Sequence, residues 1–157
     1  MKNIRKRMLT YLAHEVALPY FKLVRKGYPF PYTVKQLQRF PDGTVGKALF
    51  HFFMDHQLDI LPHYEKHDIK HVVLNYPPTE EGEVCLQCFM LANGRITLPV
   101  IFSVLFGLTI MPDKWSLFRN AWKRGRATSS LNKLNWFELI HMELTAVQGQ
   151  ISQPKIS

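Results

Sequence analysis

The run TLPVIFSVLFGLTIM, from Thr97 to Met111, constrains the fold of this chain more than any other stretch. A strongly apolar segment has to be kept from water, and this one falls short of the ~20 residues with which a helix crosses a bilayer. It holds Pro99 and Gly107 and reads as a buried helix. The chain has 157 residues, enough for one domain with its own core and too few to suggest two. A hydrophobic content of 46% places it among globular rather than disordered proteins.

Other segments repeat apolar residues at helical spacing. Ile4, Met8, Leu12, Val16, Leu23 and Val24, with basic residues between them, predict an amphipathic helix over residues 3–25. The two prolines of GYPFPY stop it and begin a linker. Pro41-Asp42-Gly43 signals a turn, after which Val45, Leu49, Phe52 and Phe53 share one side of a helix over 44–56. A short helix is predicted from Tyr64 to Leu74, ended by YPPTEE; Glu80 and Glu81 then sit where acidic side chains favour a helix start. The segment 80–109 is long and apolar, with a bend at NGRITLP. Pro112 near the start and Gly125 near the end frame one more helix, and the polar tail beyond Gln148 reads as frayed. No alternating run is long enough to require a sheet, so the expected fold is all-α, one helical domain spanning residues 1–157.

Twenty Lys and Arg against twelve Asp and Glu give a net charge of +8, which suits an anionic partner. Two cysteines cannot form a disulfide framework, and the N-terminus lacks the apolar core of a signal peptide, so a reducing, cytoplasmic setting is expected. Cys85-x-x-Cys88 within an apolar helix, with no second pair, reads as buried packing. Net charge alone supports a nucleic-acid binder, and that reading is set aside.

HDIKHVVLNYPPTEEGE gathers two histidines and an aspartate within five residues, with glutamates after a proline turn. At ~100° per residue, His67 and His71 lie about 40° apart on a helix and Asp68 about 60° further round. The turn at Pro77 and Pro78 lets the next helix bring Glu83 back towards them. Neutral imidazole and carboxylate suit a divalent ion, with zinc heading the candidates and iron, cobalt or manganese behind it. The same residues also fit an ordinary solvated helix face. His63 and His67 share the i, i+4 spacing as well, so spacing by itself does not select the ligands.

HDIKH, followed after eleven residues by Glu83, resembles the His-Asp-x-x-His-(eleven residues)-Glu motif of the coenzyme Q biosynthesis protein 4 family. FPDGTVGKALFHFF looks like that family's Leu-Pro-x-Gly-Ser-Leu-Gly segment, with Pro41, Gly43 and Gly46 in place. GEVCLQCFMLANGRITLPVIFSVLFG and the basic WKRGRA follow in the same order, so the likeness runs from about residue 35 to 140. Asn75 and Tyr76 replace the family's Gly-centred turn, and the short chain without a transit peptide fits a bacterial member.

The resemblance implies an all-helical fold, a metal held by His67, Asp68, His71 and Glu83, and a pocket for a prenylated lipid beside a membrane. It further implies oxidative decarboxylation and hydroxylation at ring carbon one of a ubiquinone precursor, and a role in organising the other biosynthetic enzymes; apart from the resemblance, a homodimer is among the partners considered. Val100, Phe102, Leu105 and Phe106 are the residues to line an isoprenoid pocket, where each buried methylene contributes about 0.8 kcal/mol; core packing is their other reading. Arg124 and Arg126 fit a phosphate or lipid headgroups, or equally solvated charges at a helix end. The N-terminal helix can lie in the membrane interface or dock on the core, which would make the protein peripheral at the inner face of the cell membrane. The competing view is a non-catalytic prenyl-lipid-binding scaffold in which the metal is structural.

Overall fold

Threonine and asparagine caps divide the chain into short helices. In the computed structural model, residues 30–153 are described. They form seven α-helices and two turns of 3-10 helix; among them there is no β-strand, only one isolated bridge between Thr44 and Glu143. The all-α expectation holds. The helix expected over residues 3–25 lies outside the described residues. The helices group into two units, one from the described part of Gly27–Pro77 with Lys133–Gln153, the other from Pro78–Asn132.

In the first unit, α1 (Val34–Gln38) opens on a reciprocal cap between Thr33 and Gln36 and buries Leu37. Gly43, at φ +83°, makes the tight turn that the Pro-Asp-Gly signal predicted. Thr44 then caps α2 (Val45–His56), its Oγ1 accepting the Lys47 N–H at 3.2 Å. That helix buries Val45, Leu49 and Phe53. Next, α3 (Glu65–Leu74) buries Ile69, Val73 and Leu74 together with Lys70 and His71. The Lys70 ammonium lies 5.3 Å over the Trp136 ring and that of Lys66 4.9 Å over Phe137, which keeps both near aromatic faces.

After the 3-10 turn Glu138–His141 comes α7 (Leu144–Ser152). The Val45 N–H donates to the Met142 carbonyl at 2.9 Å and the Leu144 N–H to that of Gly43 at 2.8 Å, stitching the C-terminal segment to the head of α2. The frayed tail is thereby corrected: the chain stays helical to Ser152 because Val147 and Ile151 are buried one helical turn apart.

In the second unit, α5 (Leu98–Ile110) and α6 (Trp115–Ala127) both pack against α4 (Glu80–Ala92). Gly125 permits this closeness, since a Cβ there would strike the Phe89 carbonyl oxygen; one at Gly107 would strike the Val84 side chain. The buried Asn93 ends α4. Its Nδ2 donates to the carbonyls of Gly125, Thr128 and Ser129, each at 3.1 Å, and its Oδ1 accepts the Leu131 N–H at 2.8 Å. Gly94 follows at φ +99°.

The long apolar helix read over 80–109 is therefore two 13-residue helices, separated where Asn93, Gly94 and Pro99 interrupt it. The expectation of a buried helix is also corrected. Val100, Val104 and Gly107 of α5 are buried, but on its other side Phe102 is 55% and Leu105 57% exposed. One face packs on α4, and the second apolar face is left outward.

Candidate metal centre

The site begins with how α3 stops. Asn75 takes the left-handed conformation at φ 56° and ψ 51°, so it fills the place of the glycine usual at such a helix end. The Tyr76 N–H consequently returns to the His71 carbonyl at 3.0 Å. In the same turn the Tyr76 carbonyl lies 2.9 Å from His71 Nδ1. A carbonyl only accepts, so Nδ1 carries the proton and, in the neutral ring, the Nε2 lone pair is available.

His71 Nε2 stands 3.0 Å from His67 Nε2. Two nitrogens bound to one zinc at 2.0–2.1 Å in a tetrahedral arrangement would be about 3.3 Å apart, so the spacing suits a shared ion. Phe52 of α2 stacks on the His71 ring at 5.8 Å and 22°, and Tyr64 meets His67 edge-on at 5.8 Å. Each imidazole is thus flanked by an aromatic ring as well as fixed by the helix. His71 is buried and His67 half-buried.

The candidate carboxylate, Glu83, lies in the first turn of α4. Thr79 caps that helix by accepting the Gly82 N–H at 3.2 Å, and the Glu83 N–H donates to the Thr79 carbonyl at 2.8 Å. One ligand atom from each of His67, His71 and Glu83 lies within 4.8 Å of the others, a group that can bind a metal ion. The donor chemistry fits: two imidazole nitrogens and one carboxylate oxygen, with the outer nitrogen of one ring already committed to a carbonyl.

Asp68 is half-buried and is not in that group. The reason is angular, since it lies about 100° round the helix from His67 while His71 is only about 40° away. The rival His63 is not on α3 at all: it precedes the helix at φ 76°. Tyr76 and Phe52, which flank His71, are named in the sequence for the turn and for the apolar side of α2, not as residues of the site. Asn75 at the helix end was the available signal for Tyr76; nothing local signals Phe52.

Burial pushes the Cys88 thiol up to about 12, with the neighbouring Cys85 adding to it. Cys85 is raised to about 11 by burial and by the Glu81 charge. Both thiols are buried within α4 and are not in the His67, His71 and Glu83 group. Of the residues proposed to line a lipid pocket, Val100 is buried, Phe106 half-buried, and Phe102 and Leu105 exposed, so the four do not share one face. Arg124 lies over the Phe89 ring at 5.4 Å, while Arg126 is exposed.

The described residues are all-helical, and His67, His71 and Glu83 form a group that could hold a metal ion. Residues 60–154 match the family of the coenzyme Q (ubiquinone) biosynthesis protein Coq4, and the chain belongs to that family. The fold resembles the crystal structure of a candidate ubiquinone biosynthesis protein from Nostoc punctiforme. The TM-score is 0.61 at 20% identity, over 88% of this chain and 80% of that one. No curated protein matches the chain significantly.

Proposed function

We propose that this member of a ubiquinone-biosynthesis family holds a divalent cation on His67, His71 and Glu83 and acts on a prenylated ring precursor. The observation that carries the reading is the pair of facing Nε2 atoms, 3.0 Å apart, with His71 pinned through Nδ1 to the Tyr76 carbonyl. Zinc, iron, cobalt and manganese all suit this donor set. When bound, such a cation supplies Lewis-acid polarisation of a ring carboxylate and a lowered pKa for coordinated water.

The chain's own groups bind and orient. The Tyr76 carbonyl fixes which His71 nitrogen faces inward, Phe52 keeps that ring from rotating, and Glu83 contributes the negative charge that favours a cation. The proposed reaction replaces the carboxyl on ring carbon one by a hydroxyl: the aryl acid, dioxygen and two electrons with two protons from a reductant yield the phenol, carbon dioxide and water. Asp68, one residue from His67, is a candidate to accept a proton there. Work beside the other enzymes of the pathway belongs to the same reading.

Elemental analysis of the purified protein, repeated on His71→Ala and Glu83→Ala, tests this. A stoichiometric metal in the wild type that both variants lose is the expected result, with product formation from a prenylated carboxyphenol lost in both and the melting temperature kept in Glu83→Ala. Metal-free wild-type protein overturns the reading. A large fall in melting temperature in both variants would instead make the metal a structural element of a non-catalytic scaffold.

A further inference from the structure

The approach to α3 holds a backbone feature that the metal group does not explain. His63 stands at φ 76° although it ends no helix, whereas the other left-handed non-glycine residues among those described, Gln57 and Asn75, each close one. Such a conformation costs energy in a residue with a side chain, and residues of this kind gather at ligand clamps and switch segments. The local geometry is defined. The Tyr64 N–H donates to the Leu61 carbonyl at 3.0 Å, with Pro62 second and His63 third in the four-residue turn. This is the pattern of a type II turn, whose third place normally takes Gly or Asn. Rotating the single peptide unit between Pro62 and His63 gives a type I turn, which keeps the same hydrogen bond, also favours proline second and asks no positive φ of His63.

The type I form runs straight into α3. Tyr64 is already right-handed at φ −99° and ψ −10°, and its side chain does not cap the helix. Its carbonyl accepts the His67 N–H at 2.7 Å and the Asp68 N–H at 3.1 Å. Pro62 suits the first position of a helix, and Leu61, as the residue before a proline, is held to the extended backbone of a cap position. His63, His67 and His71 then follow one another at intervals of four along one side of the helix.

We infer that α3 has a second form, one turn longer, in which His63 is a substrate-binding residue whose imidazole N–H holds the carboxylate of an aryl acid at the His67, His71 and Glu83 centre. This rests on the metal reading proposed above. Four residues along a helix rise about 6 Å, so an imidazole one turn before His67 reaches what an ion between His67 and His71 binds rather than the ion itself. In the present form His63 is likewise outside the group of candidate ligand atoms. A carboxylate bound to a cation through one oxygen keeps the other for a hydrogen bond, and a neutral imidazole supplies one N–H donor. The arriving acid thus favours the longer helix by the contact that only this form makes.

The test uses the full chain loaded with zinc. NMR couplings and Cα shifts report φ at residue 63 with and without 4-hydroxybenzoate, and calorimetry measures the binding of that acid. Saturation is expected to take residue 63 from left-handed to helical values. His63→Gly, which suits the present turn and lacks the imidazole, is expected to bind the acid on the order of tenfold more weakly. It should keep the wild-type zinc content and bind neutral 4-hydroxybenzamide as the wild type does. Leu61→Ser, which gives the longer helix a capping hydroxyl, is expected to show helical values at residue 63 before any acid is added. A residue 63 that stays left-handed in the saturated complex overturns the proposal. So does His63→Gly binding the acid like the wild type, or a zinc-loaded wild type that does not bind it. The metal reading fails separately, at the zinc titration: a chain that takes up no zinc ends the role of the imidazole, and Leu61→Ser alone then decides whether α3 extends, a left-handed residue 63 in that variant overturning the extension as well.

Discussion

The helices α3 and α5 break the same rule in opposite directions. A soluble protein usually hides apolar side chains and shows charged ones, yet α3 buries Lys70 and His71 while α5 presents Phe102 and Leu105 to the outside. The departure in α3 is compensated inside the fold, by the Trp136 face under Lys70 and by the carbonyl and imidazole partners of His71. Phe102 and Leu105, by contrast, stay more than half exposed. A buried polar group with partners points to chemistry performed within the protein, whereas an exposed apolar flank points to something outside it.

Substitutions can break this contrast. The largest expected effect is at α3, where His71→Ala removes the metal and lowers turnover by on the order of a hundredfold or more, checked by elemental analysis and product formation. Next comes a pair of neighbours on α5. Val104→Asp places a carboxylate on the packed face and should cost about 3 kcal/mol or more in denaturant unfolding, while Leu105→Asp, one residue along, should change stability by about 0.5 kcal/mol or less. Equal effects would erase the distinction between the two faces. Gly125→Ala forces a methyl into the Phe89 carbonyl and should cost about 1–3 kcal/mol by the same measurement.

The smallest effect is one of pH. Because Cys85 and Cys88 are raised from 9.0 to about 11 and about 12, the unfolded chain loses thiol protons that the folded chain keeps. Their contribution to stability is complete below pH 9.0 and declines as pH rises towards 11 and 12. A melting temperature that falls less steeply above pH 9 in the double Cys85→Ala, Cys88→Ala variant checks the sign.

Much of the helical layout was written in local signals. The turn at Gly43 and the break after Leu74 placed α2 and α3 to within one residue of the observed helices. Two helices went unread although their signals are present. Thr33 and Gln36 have the spacing of a capping box before α1, and Leu144, Val147 and Ile151 keep helical spacing in a tail that looked merely polar. The outward face of α5 was illegible for a different reason: periodicity needs contrast, and a helix apolar all round has none. At the site, spacing offered His67 and His71 but could not reject His63; that took the backbone at His63. Glu83 was offered by the turn at Pro77 and Pro78, and the family motif then selected it over Glu80 and Glu81, a choice that no single-helix argument supplies.

The left-handed Asn75 joins two matters usually treated apart, where a helix stops and where a proton resides. By turning the chain at that residue it delivers the next carbonyl to one side of an imidazole and thereby reserves the opposite nitrogen. Any change that let α3 continue for another turn would carry that carbonyl away and leave the ring's tautomer unassigned, with every ligand side chain still present. The length of a helix, in this protein, decides which nitrogen of one imidazole is left open.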